Sequence, residues 1–267
     1  MPSSRVSQTL ASAAFGDEPG QWPLPAASTP YEHWLRAVAA GGQGHYAVAH
    51  SELADVCRAD AGPLSSLAHS TRGSLLRQLG WHDVARGWDG RALLLAGDDV
   101  EARVDALVGL AADALGTGRF AASAALLDTA RGALTAACDP PPRLAIRLQW
   151  VAAELAMATG YGAVALRHAE QGVAVAAAPA IPERHRVKSE VVLAAAHCCA
   201  GQLDTARVRA ESALDRTGNH GLIPLRWALA SLLASIGSTA FSGEQILAIR
   251  DESADLVRRR GGRWCAR

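Results

Sequence analysis

The sequence predicts an all-α fold, a solenoid of about six antiparallel helix pairs. Six times along the chain a glycine is followed five positions later by a small residue, usually behind a bulky apolar one. Successive glycines are 38, 36, 44, 41 and 36 residues apart, by subtraction of the numbers below. Such a period is typical of stacked helical hairpins. The six pairs are Gly42 with Ala47, Gly80 with Ala85, Gly116 with Ala121, Gly160 with Ala165, Gly201 with Ala206 and Gly237 with Ser242.

Helix signals flank each glycine. Thr29 and Pro30 begin the first helix, because threonine is a preferred N-cap and proline suits the first helical position. Prolines at 63, 140–142, 182 and 224 stand at the starts of later first helices. Short β-branched runs lie inside longer helical periodicity, so almost no strand signal remains. First helices are expected over 30–41, 63–79, 99–115, 141–159, 182–200 and 222–236, and second helices over 45–59, 82–96, 119–136, 163–177, 203–217 and 243–260.

A second regularity supports the pairing of the helices. Seven residues before each glycine stands another small residue, with Leu35 the one exception. In a helical hairpin these positions face the small residues of the second helix, so that the two backbones approach closely. The first-helix residues are Gly73, Gly109, Ala153, Ala194 and Ala230.

This combination resembles the tetratricopeptide repeat, in which a small residue, a turn glycine, a bulky residue and an alanine recur on two antiparallel helices. The resemblance covers residues 29–260, and the units at 66–95 and 102–129 match best. It implies a right-handed superhelix with a concave groove. Residues 29–260 are therefore expected to form the repeat domain, preceded by a flexible arm over 1–28 and followed by a basic tail over 261–267.

Bulk composition limits the possible functions. The formal net charge is zero and the sequence pI is about 7.1, so the body lacks the overall positive charge that non-specific nucleic-acid binders use. Five cysteines without paired spacing indicate neither a disulfide framework nor a zinc site. No stretch resembles a signal peptide or a membrane span, so a cytoplasmic location is expected. Lys188 is the only lysine, a bias that suggests an actinobacterial coding sequence.

The resemblance also implies which residues line the groove, because first helices line it in that family. Arg103, Arg147 and Lys188 fall at equivalent positions of three successive first helices and would form a basic ladder. Other predicted groove residues are Arg36, Glu154, Trp150 and Trp227. The hypothesis is that the groove binds a peptide segment, with the cations pairing carboxylates and the indoles as apolar anchors. The alternative is that the three cations are solvated surface residues.

Candidate chemistry elsewhere is weak. His197, Cys198 and Cys199 are adjacent on a helix and point in different directions, so they cannot close a tetrahedral metal site. No catalytic, cofactor or metal site is predicted. Arg258, Arg259 and Arg260 form the one dense basic patch, a weak candidate for nucleic acid, anionic lipid or an acidic partner.

The sequence therefore favours a non-enzymatic adaptor or regulatory scaffold that binds a protein or peptide partner. One alternative is a sensory module that binds a small molecule or short peptide near Trp81, Trp88 and Trp150. A second is a divergent helical enzyme, which architecture alone does not exclude. The sequence leaves the partner and the oligomeric state open.

Overall fold

The chain is all-helical. A computed structural model describes residues 5–58, 61–179 and 181–266, and within these ranges it contains thirteen α-helices and no strand. The helices are α1 (Arg5–Phe15), α2 (Pro30–Gly42), α3 (Tyr46–Val56), α4 (Pro63–Gln78), α5 (His82–Leu95), α6 (Val100–Gly116), α7 (Phe120–Ala136), α8 (Pro142–Ala158), α9 (Gly162–Ala176), α10 (Glu183–Cys199), α11 (Leu203–Asn219), α12 (Ile223–Ile236) and α13 (Gly243–Arg259).

The twelve predicted helices are confirmed, and consecutive helices from α2 to α13 pack into six pairs of a solenoid-like array. Their described ends lie within about three residues of the predicted ones. The predicted end of α3 at residue 59 falls outside the described residues. Local signals explain this agreement. For example, the Thr29 side chain accepts a hydrogen bond from the backbone N–H of Glu32, whose own side chain returns to the Thr29 N–H, a complete capping box.

The turn inside each pair is made by a glycine in the left-handed region. At Gly44 φ is +80° and at Gly118 it is +74°. The backbone N–H of the residue after each glycine donates to the carbonyl five residues earlier, so a carbonyl at the end of the preceding helix gains a hydrogen bond. The predicted turn glycines Gly42 and Gly116 are therefore wrong by two positions, since both still lie in helices. The other turn glycines are Gly80, Gly160, Gly201 and Gly237, at φ of +90°, +80°, +76° and +81°.

Moving the pattern by two residues in units one and three makes the small-residue contact regular in units one to five. In unit six the prediction is wrong, because Ser242 is the exposed N-cap of α13 and does not lie on the second helix. Ala49 and Ser123, five residues after the corrected glycines, are fully buried, whereas Ala47 and Ala121 are exposed. The exception at Leu35 also disappears, because the residue seven positions before the corrected glycine Gly44 is Ala37. The small positions on the first helices are Ala37, Gly73, Ala111, Ala153 and Ala194, and those on the second helices are Ala49, Ala85, Ser123, Ala165 and Ala206, all of them buried.

The N-terminal arm differs from the prediction. Instead of a loose segment, residues 5–15 form α1, which packs against α2 and buries Leu10, Ala13 and Ala14. Further along, Trp22 stacks on His45 with ring centroids 3.6 Å apart. The arm lacked the sustained periodicity that marks long helices, so its local pattern was missed. Residues 1–4 of the predicted arm lie outside the described part.

The C-terminal tail packs onto the first two units. The Cys265 N–H donates to the Leu79 carbonyl at 2.8 Å, and the Trp81 indole N–H donates to the Arg263 carbonyl at 2.7 Å. In the basic patch, Arg258 pairs with Asp255 on its own helix and Arg260 donates to the Gln43 carbonyl. Arg267 lies outside the described residues. No helix among those described has the length and apolar character to cross a bilayer.

Candidate functional site

The solenoid surrounds a central cavity of about 390 Å³. Every first helix contributes to its wall, namely α2, α4, α6, α8, α10 and α12, and α5 adds His82. A second cavity of about 50 Å³ shares several of its wall residues with the first, including Arg147, Arg184 and His185. The larger volume falls within the about 300–1,000 Å³ of typical small-molecule sites.

The first and the last units share the cavity wall because the last units return to the first one. The end of α2 lies beside the start of α10, where the Arg184 side chain fills the space next to Gly42. The turn at Gly44 lies against Pro224 at the start of α12. The last units of the array therefore contact its first unit.

The last residue of α1, Phe15, lies near the starts of α8 and α10. The Phe15 ring lies 5.3 Å from the Trp34 ring and 6.5 Å from the His185 ring, and the Arg143 guanidinium lies 5.3 Å from the Phe15 centroid. Phe15 lines the smaller cavity. Thus α1 contributes its last residue to the wall of the smaller cavity.

Two indoles supply much of the apolar wall. Trp150 is fixed by a 2.9 Å hydrogen bond from its indole N–H to the Ser189 hydroxyl, and its ring stacks on His185 at 5.4 Å. Trp227 packs on Trp264 of the tail, with centroids 4.4 Å apart. Because both rings are held by neighbours, they present a preformed surface to a ligand.

Lys188 and Glu154 form an ion pair at the wall, with Nζ and Oε1 3.2 Å apart. The ammonium group also lies 5.9 Å from the Trp150 ring. Both side chains stay about one-third exposed. This pair is electrically neutral and can offer one donor and one acceptor to a ligand.

Asp105 organises the arginines of α8. Arg143 donates to both of its carboxylate oxygens, at 3.2 and 3.0 Å, and also to Glu101, while the Arg147 Nε lies 2.9 Å from Asp105 Oδ1. Burial opposes ionisation of Asp105, but the two guanidinium groups more than offset it and lower its pKa. Burial lowers the pKa of Arg147, and the nearby Arg143 and Arg77 add to this effect.

Arg184 is a charged wall residue that the sequence analysis did not predict. Its Nη1 donates to the Val38 carbonyl at 3.2 Å, and no ion pair links it to a carboxylate of the described residues. Burial, together with Arg147 and Arg143, lowers its pKa to about 10. Arg184 lies one turn before Lys188, and Arg143 lies one turn before Arg147. Extending the predicted basic ladder by four residues toward the start of each helix therefore identifies Arg184.

A second charged cluster supports the wall from α4, α5 and α6. Arg77 bridges Asp89 and Asp113, whose carboxylates are fully buried. Asp89 fills the space that the missing side chains of Gly73 and Gly109 leave, since a Cβ at either would lie within 2.5 Å of it. Burial raises the pKa of Asp113 to about 7; Arg77 counteracts this and the neighbouring Asp89 adds to it.

The structure brings together five of the seven predicted groove residues. The cavity wall contains Arg147, Trp150, Glu154, Lys188 and Trp227. Arg103 is exposed elsewhere on α6, and Arg36 pairs with Glu52 of α3; neither belongs to the wall. Both errors follow from the misplaced turn glycines in units one and three. In the corrected register Asp105 takes the place of Arg103, and Val38 takes the place of Arg36.

No protein-family model matches the chain, and no curated protein matches it. In the described part of the chain, no group of three or more His, Cys, Asp or Glu side chains is arranged to hold a metal ion. The fold and the cavity therefore define the class of this protein as an all-α, solenoid-like helical array with a central cationic and aromatic cavity.

Proposed function

We propose that the protein is a non-enzymatic recognition module, a divergent member of the tetratricopeptide-repeat class that acts in the cytoplasm as an adaptor or regulatory scaffold. The observation that carries the proposal is the cavity itself, on which all six first helices converge with cations and indoles together. The five free cysteines support a reducing compartment. The module holds its ligand in the cavity.

The size of the cavity limits what the ligand can be. About 390 Å³ holds a small molecule or the last few residues of a peptide, and a continuous partner helix requires a longer open groove. As an adaptor, the module takes the end of a segment from a partner protein. As a sensory module, the second candidate, it takes a small molecule; the contact of the last units with the first one beside the cavity favours this candidate.

A blocked cavity tests the proposal. Ala112 lines the cavity and Ala121 is exposed on α7, so Ala112→Trp fills the site and Ala121→Trp is the matched control. Cross-linking mass spectrometry in the native cell is expected to capture a partner with the wild type and with Ala121→Trp, and to lose it with Ala112→Trp. For a sensory module, a metabolite library raises the Tm of the same two proteins and leaves Ala112→Trp unchanged.

Two results contradict the proposal. If Ala112→Trp folds and retains every partner and every Tm shift of the wild type, the cavity is not the binding site. If a ligand of the cavity is converted to a product, and the Ala112→Trp variant loses this turnover, the protein is an enzyme.

A further inference from the structure

The charges on the cavity wall do not balance locally. Three guanidinium groups lie together, those of Arg143, Arg147 and Arg184, and the carboxylates paired with them are Asp105 and Glu101. Arg143 uses both carboxylates, and Arg147 shares Asp105 with it. Among the described residues no carboxylate forms an ion pair with Arg184, which lines both cavities.

Arg184 has hydrogen-bonding capacity to spare. A guanidinium has five N–H donors, and the one hydrogen bond that fixes Arg184 runs from Nη1 to the Val38 carbonyl. Arg184 is half-buried, and withdrawing a cation from water without a partner is costly. A ligand anion that accepts the remaining donors removes this cost, and a planar carboxylate matches the guanidinium fork.

The larger cavity that Arg184 lines also has apolar side chains in its wall. The indole of Trp150 has its N–H bonded to Ser189, and Val108, Leu115 and Val151 complete the neighbouring wall. Lys188 and Glu154 neutralise each other, so they add no net charge. An arginine without an ion-pair partner in a cavity with these apolar side chains suits a ligand with one negative charge on an apolar body.

We propose that the cavity binds a small monocarboxylic acid with an apolar or aromatic body, whose carboxylate is held by Arg184. This inference rests on the proposed recognition function and names its ligand class. The acid group enters the space between Arg184 and Arg147, and the body lies against Trp150 and Trp227. A free carboxyl end of a peptide carries the same chemical group, and the experiment distinguishes the two sources.

The test uses the full chain and a defined probe, 6-phenylhexanoate, with 6-phenylhexan-1-ol as the uncharged match. Calorimetric titration is expected to show binding of the acid at least about tenfold tighter than of the alcohol, since charge-assisted hydrogen bonds are the strong ones. Arg184→Gln is expected to weaken binding of the acid at least about tenfold and to leave the alcohol unchanged. Arg103→Gln, which changes an exposed arginine, leaves both affinities unchanged.

Two further measurements keep the test independent of the folding of one variant. Arg184→Lys keeps the charge without the fork and is expected to retain an intermediate affinity. Because Lys188 is the only lysine and lines the cavity, bound acid is expected to slow its acetylation in the wild type, as read by peptide mass spectrometry. Acetylation at an unchanged rate under saturating acid overturns the assignment of the site.

The remaining outcomes separate this inference from the proposed function. Equal affinity for acid and alcohol, or an Arg184→Gln variant that binds the acid as the wild type does, overturns the carboxylate assignment. Binding of a tetrapeptide with a free carboxyl end, but not of its amide or of any free acid, overturns the small-acid ligand and leaves the recognition function standing. If Ala112→Trp changes no binding of any kind, the recognition function fails as well.

Discussion

The backbone N–H of Ala47 donates a 2.9 Å hydrogen bond to the carbonyl oxygen of Arg260, and this bond joins the start of α3 to the end of α13. The first and the last units of the array are thus in direct contact. The next residue, Gly261, has φ of +88°, and a Cβ there would lie 2.6 Å from the Cβ of Ala47. The closure therefore depends on a residue without a side chain.

Gly261→Ala is expected to destabilise the fold by about 2 kcal/mol, because it combines a left-handed backbone with a collision at Ala47. The matched control is Gly132→Ala, inside α7, where a Cβ meets nothing within 4 Å. That change is expected to stabilise by about 0.5–1 kcal/mol, since alanine is the better helix former. Urea denaturation of both variants measures the difference. A neutral Gly261→Ala variant would show that the closure contributes nothing to stability.

The helices were predictable because their signals are local. Caps, prolines and periodicity act within a few residues, so the sequence displays them directly. The turn register failed in units one and three, where two glycines lie two residues apart, at 42 and 44 and at 116 and 118. Only the backbone angle distinguishes them, and it depends on how the second helix docks.

Two equivalent-looking positions on α7 test the corrected register. Ser123 is fully buried against α6, whereas Ala121 is exposed. Ser123→Leu is expected to cost about 1–3 kcal/mol, because a larger side chain separates the two backbones. Ala121→Leu is expected to change stability by less than about 0.5 kcal/mol. Thermal unfolding followed by circular dichroism reads both, and the opposite order of the two effects would restore the original register.

The contacts between distant ends of the chain could not be predicted from local signals. Trp81 contacts Arg263 across 182 positions, and Phe15 meets His185 across 170 by subtraction. No short-range pattern encodes such contacts. Five of the predicted groove residues lie in the cavity wall, and the sequence could place them together because one register, repeated along the first helices, puts them on the same face.

Leu10 tests whether α1 is a structural part of the fold. Its side chain is fully buried between α1 and the core, and Leu94 on α5 is 80% exposed. Leu10→Ala is expected to cost about 2–5 kcal/mol, through lost burial and an unfilled cavity. Leu94→Ala is expected to cost less than about 0.5 kcal/mol. Equal denaturation midpoints for the two variants would mean that residues 5–15 are the loose arm that composition suggested.

The carboxyl of Asp113 links stability to pH. Its pKa in the folded protein is about 7, above the usual value of 3.8, so between these two values the folded state binds more protons than the unfolded state. The free energy of unfolding contributed by this group therefore falls as pH rises from about 4 to 7. One carboxylate oxygen of Asp113 is buried without a hydrogen-bond partner, and an asparagine there supplies a permanent donor.

Asp113→Asn is expected to remove this dependence. Between pH 4.5 and 7.5 the wild type is expected to lose about 1–3 kcal/mol relative to the variant, given about 1.4 kcal/mol for each unit of pKa shift and allowing for screening. The control, Asp98→Asn at an exposed loop position, keeps the slope of the wild type. Guanidinium chloride titrations at several pH values measure the three slopes. If Asp113→Asn has the slope of the wild type, the carboxyl of Asp113 is ionised throughout this range. The attraction of Arg77 for the two buried aspartates then outweighs the effect of burial on the pKa of Asp113.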